Sequence, residues 1–180
     1  HDLVFVNDLD ELAMKVGVPC KPGTLSRTAD GCGVYSADLP WRAARVPQRV
    51  DELEKEARAA KPLYDAGDEE KYREATVKIY DKLRAAWERG LEDRVFAGVI
   101  MRHRDYINTK ELKRVAALDV SDVATFEQNF KKCCDLLDAH DPSRGRDGNV
   151  PPPADVWTDI SALKSWEEGL RQKQNALVKP

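Results

Sequence analysis

Two apolar stripes with helical spacing, one on each side of a break at Gly67, restrict this chain to a largely helical fold. Before the break, apolar residues recur every three or four positions, at Val50, Leu53, Ala57, Ala60 and Tyr64. After the break, a second stripe with this spacing comprises Tyr72, Ile79, Leu83, Trp87, Leu91, Val95 and Val99. Because this period places apolar side chains on one face of a helix, the sequence predicts two long helices that pack antiparallel as a hairpin.

Punctuating residues predict where the helices begin and end. Asp68, followed by two glutamates, is typical of a helix N-terminus and predicts the start of the second helix. Further along, the sequence predicts a short helix after Thr109, a longer one capped by Ser121 and a last one after the prolines at 151–153. The tail from Arg171 onward is expected to fray.

One β-hairpin is predicted near the N-terminus. Thr24–Thr28 and Gly33–Ser36 flank the turn Ala-Asp-Gly-Cys at 29–32, a pattern that favours two antiparallel strands. Residues 2–16, which precede the hairpin, have helical spacing. The predicted fold class is therefore mostly α, a helical hairpin or bundle with one small N-terminal β-hairpin.

Charge and cysteine content narrow the class of protein. The 180 residues carry a net charge of −3, so there is no overall basic field to attract nucleic acid. The segment 81–114 is nevertheless locally basic, with nine basic and six acidic residues. The four cysteines form no C-x-x-C pair, and no 18-residue apolar run occurs. We therefore expect reduced thiols, a cytoplasmic location and no membrane partner.

Sequence motifs for nucleotide and metal binding do not occur in the chain. There is no G-x-x-x-x-G-K-[ST] P-loop, so the chain alone is not expected to act as an ATPase. Histidine and cysteine are too scattered to predict a metal site. No cofactor is therefore expected within the chain itself.

The stretch KLRAAWERGLED at 82–93 contains an arginine and a glutamate four positions apart, Arg84 and Glu88. Such a pair is commonly a surface ion pair worth about 0.2–0.5 kcal/mol. Leu83 and Trp87 belong to the apolar stripe, however, so Arg84 and Glu88 should border a groove between packed helices. With a histidine across that groove, the three groups suit phosphodiester cleavage, in which the arginine stabilises the phosphorane and the others transfer protons. Both interpretations are open at this point.

Two histidines and several cations are candidates for contacts with RNA. His140 follows an amphipathic helix, where it either interacts with the last helix carbonyls or acts as a general acid or base beside Asp141. His103 lies in MRHRDY, either in a solvated basic segment or in a phosphate-binding patch. This basic patch would comprise Arg102, His103, Arg104, Lys110, Lys113 and Arg114.

Three stretches resemble the C-terminal region of large bacterial ABC/SMC-like ATPases of the AAA family, the group that includes the anticodon nucleases. HDLVFVNDL at 1–9 resembles the segment after the last core strand of the ATPase head. YDKLRAAWERGLED at 80–93 resembles the family pattern Y-x-x-L-R-x-x-W-E-x-x-x-E-E. KKCCDLLDAHDPSRGRDGNVPPPADVWTDISALKSW at 131–166 resembles the end region of the family.

The resemblance implies a function and a site. Anticodon nucleases carry an RNase site written R-x-x-x-E…H, which Arg84, Glu88 and His140 match. The resemblance therefore implies a metal-independent, HEPN-like ribonuclease of antiphage defence, with tRNA or another RNA as its substrate. HEPN-type RNases place an arginine shortly before the histidine, where this chain has Lys131 and Lys132.

The resemblance also implies how the chain is organised. Residues 1–40 would be the last part of the ATPase head, and residues 41–180 would be the helical effector domain. ATP and Mg²⁺ would bind the head of the full-length parent, where His1 would sense the γ-phosphate.

Two other functions fit the same sequence. The domain could be a non-catalytic helical module that packs on the ATPase head or docks nucleic acid through the basic patch, as a monomer or a homodimer. It could also be an independent small regulatory helical protein. The start at His1, on an apolar run, favours a piece cut from a longer protein over this last alternative.

Overall fold

The computed structural model describes residues 12–13, 16–19, 23–28, 31–36, 41–100, 105–139 and 149–178. These residues are mostly α-helical with one two-stranded antiparallel sheet, which confirms the predicted fold class. The strands are β1 (Thr24–Thr28) and β2 (Gly31–Ser36). The helices are α1 (Val46–Asp65), α2 (Glu69–Gly90), α3 (Leu112–Val115), α4 (Val120–Ala139) and α5 (Pro153–Val178). A π-helix (Leu91–Val95) follows α2, and a 3₁₀ turn (Thr109–Glu111) precedes α3.

The chain divides into two compact units. One comprises residues 1–45 with 102–105, and the other comprises residues 46–101 with 106–180. The β-hairpin belongs to the first unit and helices α1 to α5 form the second. That residues 1–40 complete an ATPase head stays a prediction.

The β-hairpin has the predicted antiparallel pairing. Its register runs from Thr24 opposite Ser36 to Thr28 opposite Gly31, with an irregularity between Ser26 and Arg27. Of the N-terminal stretch predicted as a helix, residues 12, 13 and 16 are described, and they are helical.

Helices α1 and α2 form the predicted antiparallel hairpin. Gly67 has a φ of +70°, a conformation that glycine adopts without strain, and it lets the chain reverse between them. The Asp68 carboxylate accepts a hydrogen bond from a first-turn amide of α2 at 3.3 Å, as the predicted cap requires. Further along the hairpin, Lys82 of α2 bridges Glu52 and Glu56 of α1 at 2.6 and 2.5 Å. The residues that α1 buries are Val46, Arg49, Val50, Leu53, Ala57 and Ala60.

Helix α5 runs parallel to α2 from near the first residue of α2 to near its last. Three pairs mark the register, Tyr72 with Pro151, Tyr80 with Asp159, and Trp87 with Trp166. The helix continues to Val178, so the expected fraying from Arg171 is wrong. The reason is a tertiary contact, because Gln174 is buried and its amide donates to the Arg94 carbonyl at 2.5 Å.

Helix α4 runs antiparallel to α2 and packs against it through aromatic rings. Phe126 meets Trp87 edge-on, with ring centroids 5.8 Å apart. The predicted Ser121 cap is wrong, because the helix already begins at Val120. Asp119 caps it instead, since its carboxylate accepts hydrogen bonds from the amides two and three residues later at 2.8 and 3.0 Å.

The second stripe predicts one helix to about residue 100, but α2 ends at Gly90 and continues as the π-helix. Two contacts with α5 account for this change. Gly90 packs so closely on Trp166 that a Cβ would lie 2.7 Å from the ring, and Arg94 binds the buried Glu167 carboxylate. Ala97, with a φ of +46°, then turns the chain away from the helix axis.

Candidate functional site

The residues of the motif at 80–88 fall into two groups, those on the buried face of α2 and those on its flank. Tyr80, Leu83 and Trp87 are fully buried between the helices. Arg84 and Glu88 each follow a buried residue and therefore lie on the flank of the buried face, with 38% and 39% of their side chains exposed. The half-buried position expected from the sequence is the one observed.

Arg84 and Glu88 form an ion pair, but the distance between them is long. Arg84 Nη1 donates to Glu88 Oε1 at 3.5 Å, which is at the outer limit of a hydrogen bond. The other terminal nitrogen, Nη2, donates to Asp81 Oδ1 at 3.2 Å. The guanidinium is thus shared between two carboxylates, and Asp81 is a neighbour that was not predicted as part of the site.

The Arg84 side chain has two features that suit the binding of a phosphate group. The hydrogen bond to Asp81, together with the attraction of Glu88, raises the pKa of the guanidinium, so it stays charged. Its Nε is buried and makes no hydrogen bond within the described residues. A guanidinium donates to phosphate in a fork geometry, so the group could take an anion in place of one carboxylate.

Helix α4, which leads to His140 in the sequence, passes close to Arg84. The thiols of Cys133 and Cys134 both lie within electrostatic range of the guanidinium. Since α4 is antiparallel to α2, its remaining five residues to Ala139 run roughly 7.5 Å further along the axis, away from Glu88. His140 lies outside the described residues, and its distance from the pair stays a prediction.

The structure describes half of the predicted basic patch. Arg102, His103 and Arg104 lie outside the described residues, as does His1. Lys110, Lys113 and Arg114 lie on the 3₁₀ turn and α3. The two lysines are exposed, whereas Arg114 Nε pairs with Glu111 at 2.7 Å.

A polar cluster that is buried except for the half-exposed Lys132 joins α2, α4 and α5, and it was not predicted from the sequence. Tyr80 donates its hydroxyl to Asp159 Oδ2 at 2.5 Å, and Lys132 binds the other carboxylate oxygen at 2.7 Å. Burial and the hydrogen bond to Asp159 raise the pKa of the Tyr80 hydroxyl, and burial raises the pKa of the adjacent Cys133 thiol to about 12. Asp159 falls on the apolar stripe of α5, and a carboxylate at such a position signals a buried partner.

No group of three or more histidine, cysteine, aspartate and glutamate side chains that could hold a metal ion occurs among the described residues. None of the helices in the described part combines the length and apolar character that a membrane span requires. Comparison with protein-family models, with curated proteins and with solved structures gives no significant match to this chain.

Proposed function

We propose that this chain is the C-terminal helical region of an ABC/SMC-like ATPase of the AAA family, and that it cleaves RNA with Arg84, Glu88 and His140. The observation that carries the proposal is the division of the motif on α2. Packing in the core accounts for Tyr80 and Trp87, which are buried. It does not account for Arg84 and Glu88, which lie side by side at the surface.

The proposed chemistry uses these side chains alone. The ribose 2′-oxygen attacks phosphorus while the P–O5′ bond breaks, which leaves a 2′,3′-cyclic phosphate and a 5′-hydroxyl. Glu88 takes the proton of the 2′-hydroxyl and His140 supplies one to the departing 5′-oxygen. Arg84 neutralises the charge that builds on the non-bridging phosphate oxygens. In the full-length parent, ATP turnover on Mg²⁺ in the head would gate this step.

The test compares RNA cleavage by the full-length parent and its variants with tRNA, ATP and Mg²⁺ present. Arg84→Ala, Glu88→Gln and His140→Ala should each lower the cleavage rate by about 10²-fold or more. Lys61→Ala is the matched control, because Lys61 forms a pair of the same spacing with Asp65 on α1. Cleavage by His140→Ala at the rate of the unmodified protein would disprove the site.

Mixing the two inactive variants Glu88→Gln and His140→Ala addresses the direction of α4. The end of α4 runs away from Glu88. If a second copy supplies the histidine, the mixture regains activity, since one site in each heterodimer is complete. If His140 acts within its own chain, the mixture stays inactive.

A second function is favoured by the sharing of Arg84 between Asp81 and Glu88, which is typical of ordinary surface ion pairs. In this alternative the helices form a non-catalytic module that packs on the ATPase head or docks a partner. Arg84→Ala would then leave every activity of the parent unchanged, while removal of residues 46–180 would alter the ATP turnover of the head. Cleavage that depends on Arg84 would exclude this alternative.

A further inference from the structure

The turn from Tyr106 to Lys113 exposes apolar and basic side chains together. Tyr106, Ile107 and Leu112 are 60%, 66% and 54% exposed. The side chains of Lys110 and Lys113, which lie between and beside them, are exposed as well. A surface of this kind suits a partner that offers both a flat apolar face and negative charge.

The positive charge of the turn is not neutralised locally. Neither Lys110 nor Lys113 forms an ion pair with the described residues. The nearby acid Glu111 is bound by Arg114 at 2.7 Å. Lys110 and Lys113 are three positions apart, a spacing that places two residues on one face of a helical turn.

Helix α5 forms hydrogen bonds with the backbone on both sides of the turn. The Gln174 side-chain amide donates to the Arg94 carbonyl before the turn at 2.5 Å and to the Arg114 carbonyl after it at 3.4 Å. The backbone N–H of Asn108, within the turn, also donates to the Val99 carbonyl at 2.9 Å. A partner that binds here therefore meets a backbone that is already ordered, so little entropy is lost on binding.

We infer that this turn binds single-stranded RNA, with Tyr106 stacked on a base and Lys110 and Lys113 against phosphates. The choice of RNA among polyanions rests on the proposed function. The choice of a single strand rests on the exposed ring, because only unpaired bases offer a free face for stacking on an aromatic side chain. Gln174 is then a positioning residue, which acts through the backbone that it holds.

The charge contribution is tested by the salt dependence of binding. The full 180-residue chain carries Arg84→Ala so that RNA stays intact, and fluorescence anisotropy follows a labelled single-stranded RNA of about 16 nucleotides. The double variant Lys110→Gln, Lys113→Gln should flatten the slope of log affinity against log salt by about 0.7 for each lysine. The matched control is Lys55→Gln, Lys78→Gln, which removes two exposed lysines from α1 and α2.

The stacking contribution is tested in the same assay. Tyr106→Ala should weaken binding about fivefold or more without changing the salt slope, and Tyr106→Phe should keep the affinity. Equal affinity for a duplex of the same sequence, or equal salt slopes for the two double-lysine variants, would overturn the inference. Binding and cleavage are read separately. Binding that depends on the turn, without Arg84-dependent cleavage by the parent, refutes only the nuclease site. Arg84-dependent cleavage by the parent, with RNA binding that the turn variants leave unchanged, refutes only the turn.

Discussion

Helices α2 and α4 lie side by side in the bundle, but they are held by different forces. Helix α2 buries eight of its residues, most of them large and apolar. Helix α4 is nearly as long, yet it buries Cys133 alone. What keeps α4 in place is partly polar, since Lys132 binds Asp159 and its first turn binds Lys173 of α5. The candidate site lies where these two helices meet.

The difference concerns local stability. A helix that buries few apolar groups opens at a lower free energy than one whose side chains form the core. Trp87, whose ring packs on Phe126 of α4 and on Trp166 of α5, also has an indole N–H that is buried without a hydrogen-bond partner among the described residues. Such a group costs about 1–3 kcal/mol. Helix α4 should therefore exchange its amide protons faster than α2 does.

The largest expected effect comes from the same substitution in the two helices. Leu83→Ala in α2 should lower the free energy of unfolding by about 2–5 kcal/mol, because Leu83 is fully buried and its loss leaves a cavity. Leu137→Ala in α4 should cost only about 1 kcal/mol, since that side chain is half-buried. Urea unfolding followed by circular dichroism measures both. Equal losses would show that the two helices are held alike.

The next effect concerns the buried polar cluster. Asp159→Asn should lower the free energy of unfolding by about 1–3 kcal/mol, because Lys132 loses its charged partner while Tyr80 can still donate to the amide oxygen. Asp155→Asn, an exposed change on the same helix, is the control. Hydrogen exchange should speed up throughout α4 in Asp159→Asn. Faster exchange in α2 alone would contradict the role given to Lys132.

A pH effect isolates the one buried residue of α4. Burial raises the pKa of the Cys133 thiol to about 12, while an unfolded thiol loses its proton near about pH 8.5. The stability that the buried neutral thiol supplies is therefore complete below about pH 8.5 and falls as pH rises toward 12, by about 1.4 kcal/mol per pH unit. Urea titrations between about pH 8.5 and pH 10 should show this decline in Cys134→Ala but a shallower one in Cys133→Ala.

The smallest effect is expected for the ion pairs that join Lys173 of α5 to the start of α4. Lys173→Gln removes contacts to Asp119 and Asp122 at 2.7 and 2.8 Å, and the lysine end of both contacts is exposed. The midpoint of global unfolding should stay unchanged, because exposed ion pairs contribute little. Amide exchange in the first turn of α4 should nevertheless increase. Lys131→Gln, whose partner Asp135 lies within α4 itself, should leave that turn as it was.

The fold was predictable where one stripe decides the structure. The periodicities that include Leu53 and Leu83 identified the helical hairpin, because local spacing alone puts the apolar residues of each helix on one face. Helix α5 was harder, since Asp159, Glu167 and Gln174 interrupt its buried face. Their partners come from segments far away in the sequence, so the tertiary contacts that keep α5 helical beyond Arg171 leave no local signal.

The candidate site was predictable only where local spacing determines which side chains are buried. The flanking positions of Arg84 and Glu88 follow from the buried residues that precede them. The sharing of Arg84 with Asp81 depends on side-chain conformations that spacing does not determine. The termination of α2 at Gly90 was missed because it depends on Trp166, a residue more than seventy positions away.

The π-helix after α2 makes the chain tolerant of a change in length at this point. A π-helix closes each hydrogen bond over one more residue than an α-helix does, so it holds one extra residue within a turn. Deletion of a single residue between Leu91 and Asp93 would let α2 continue as a regular helix. The residues after the deletion would keep nearly the same positions round the axis, and Arg94 would still face Glu167. Natural relatives that are one residue shorter here should therefore keep the pair that Arg94 forms with Glu167.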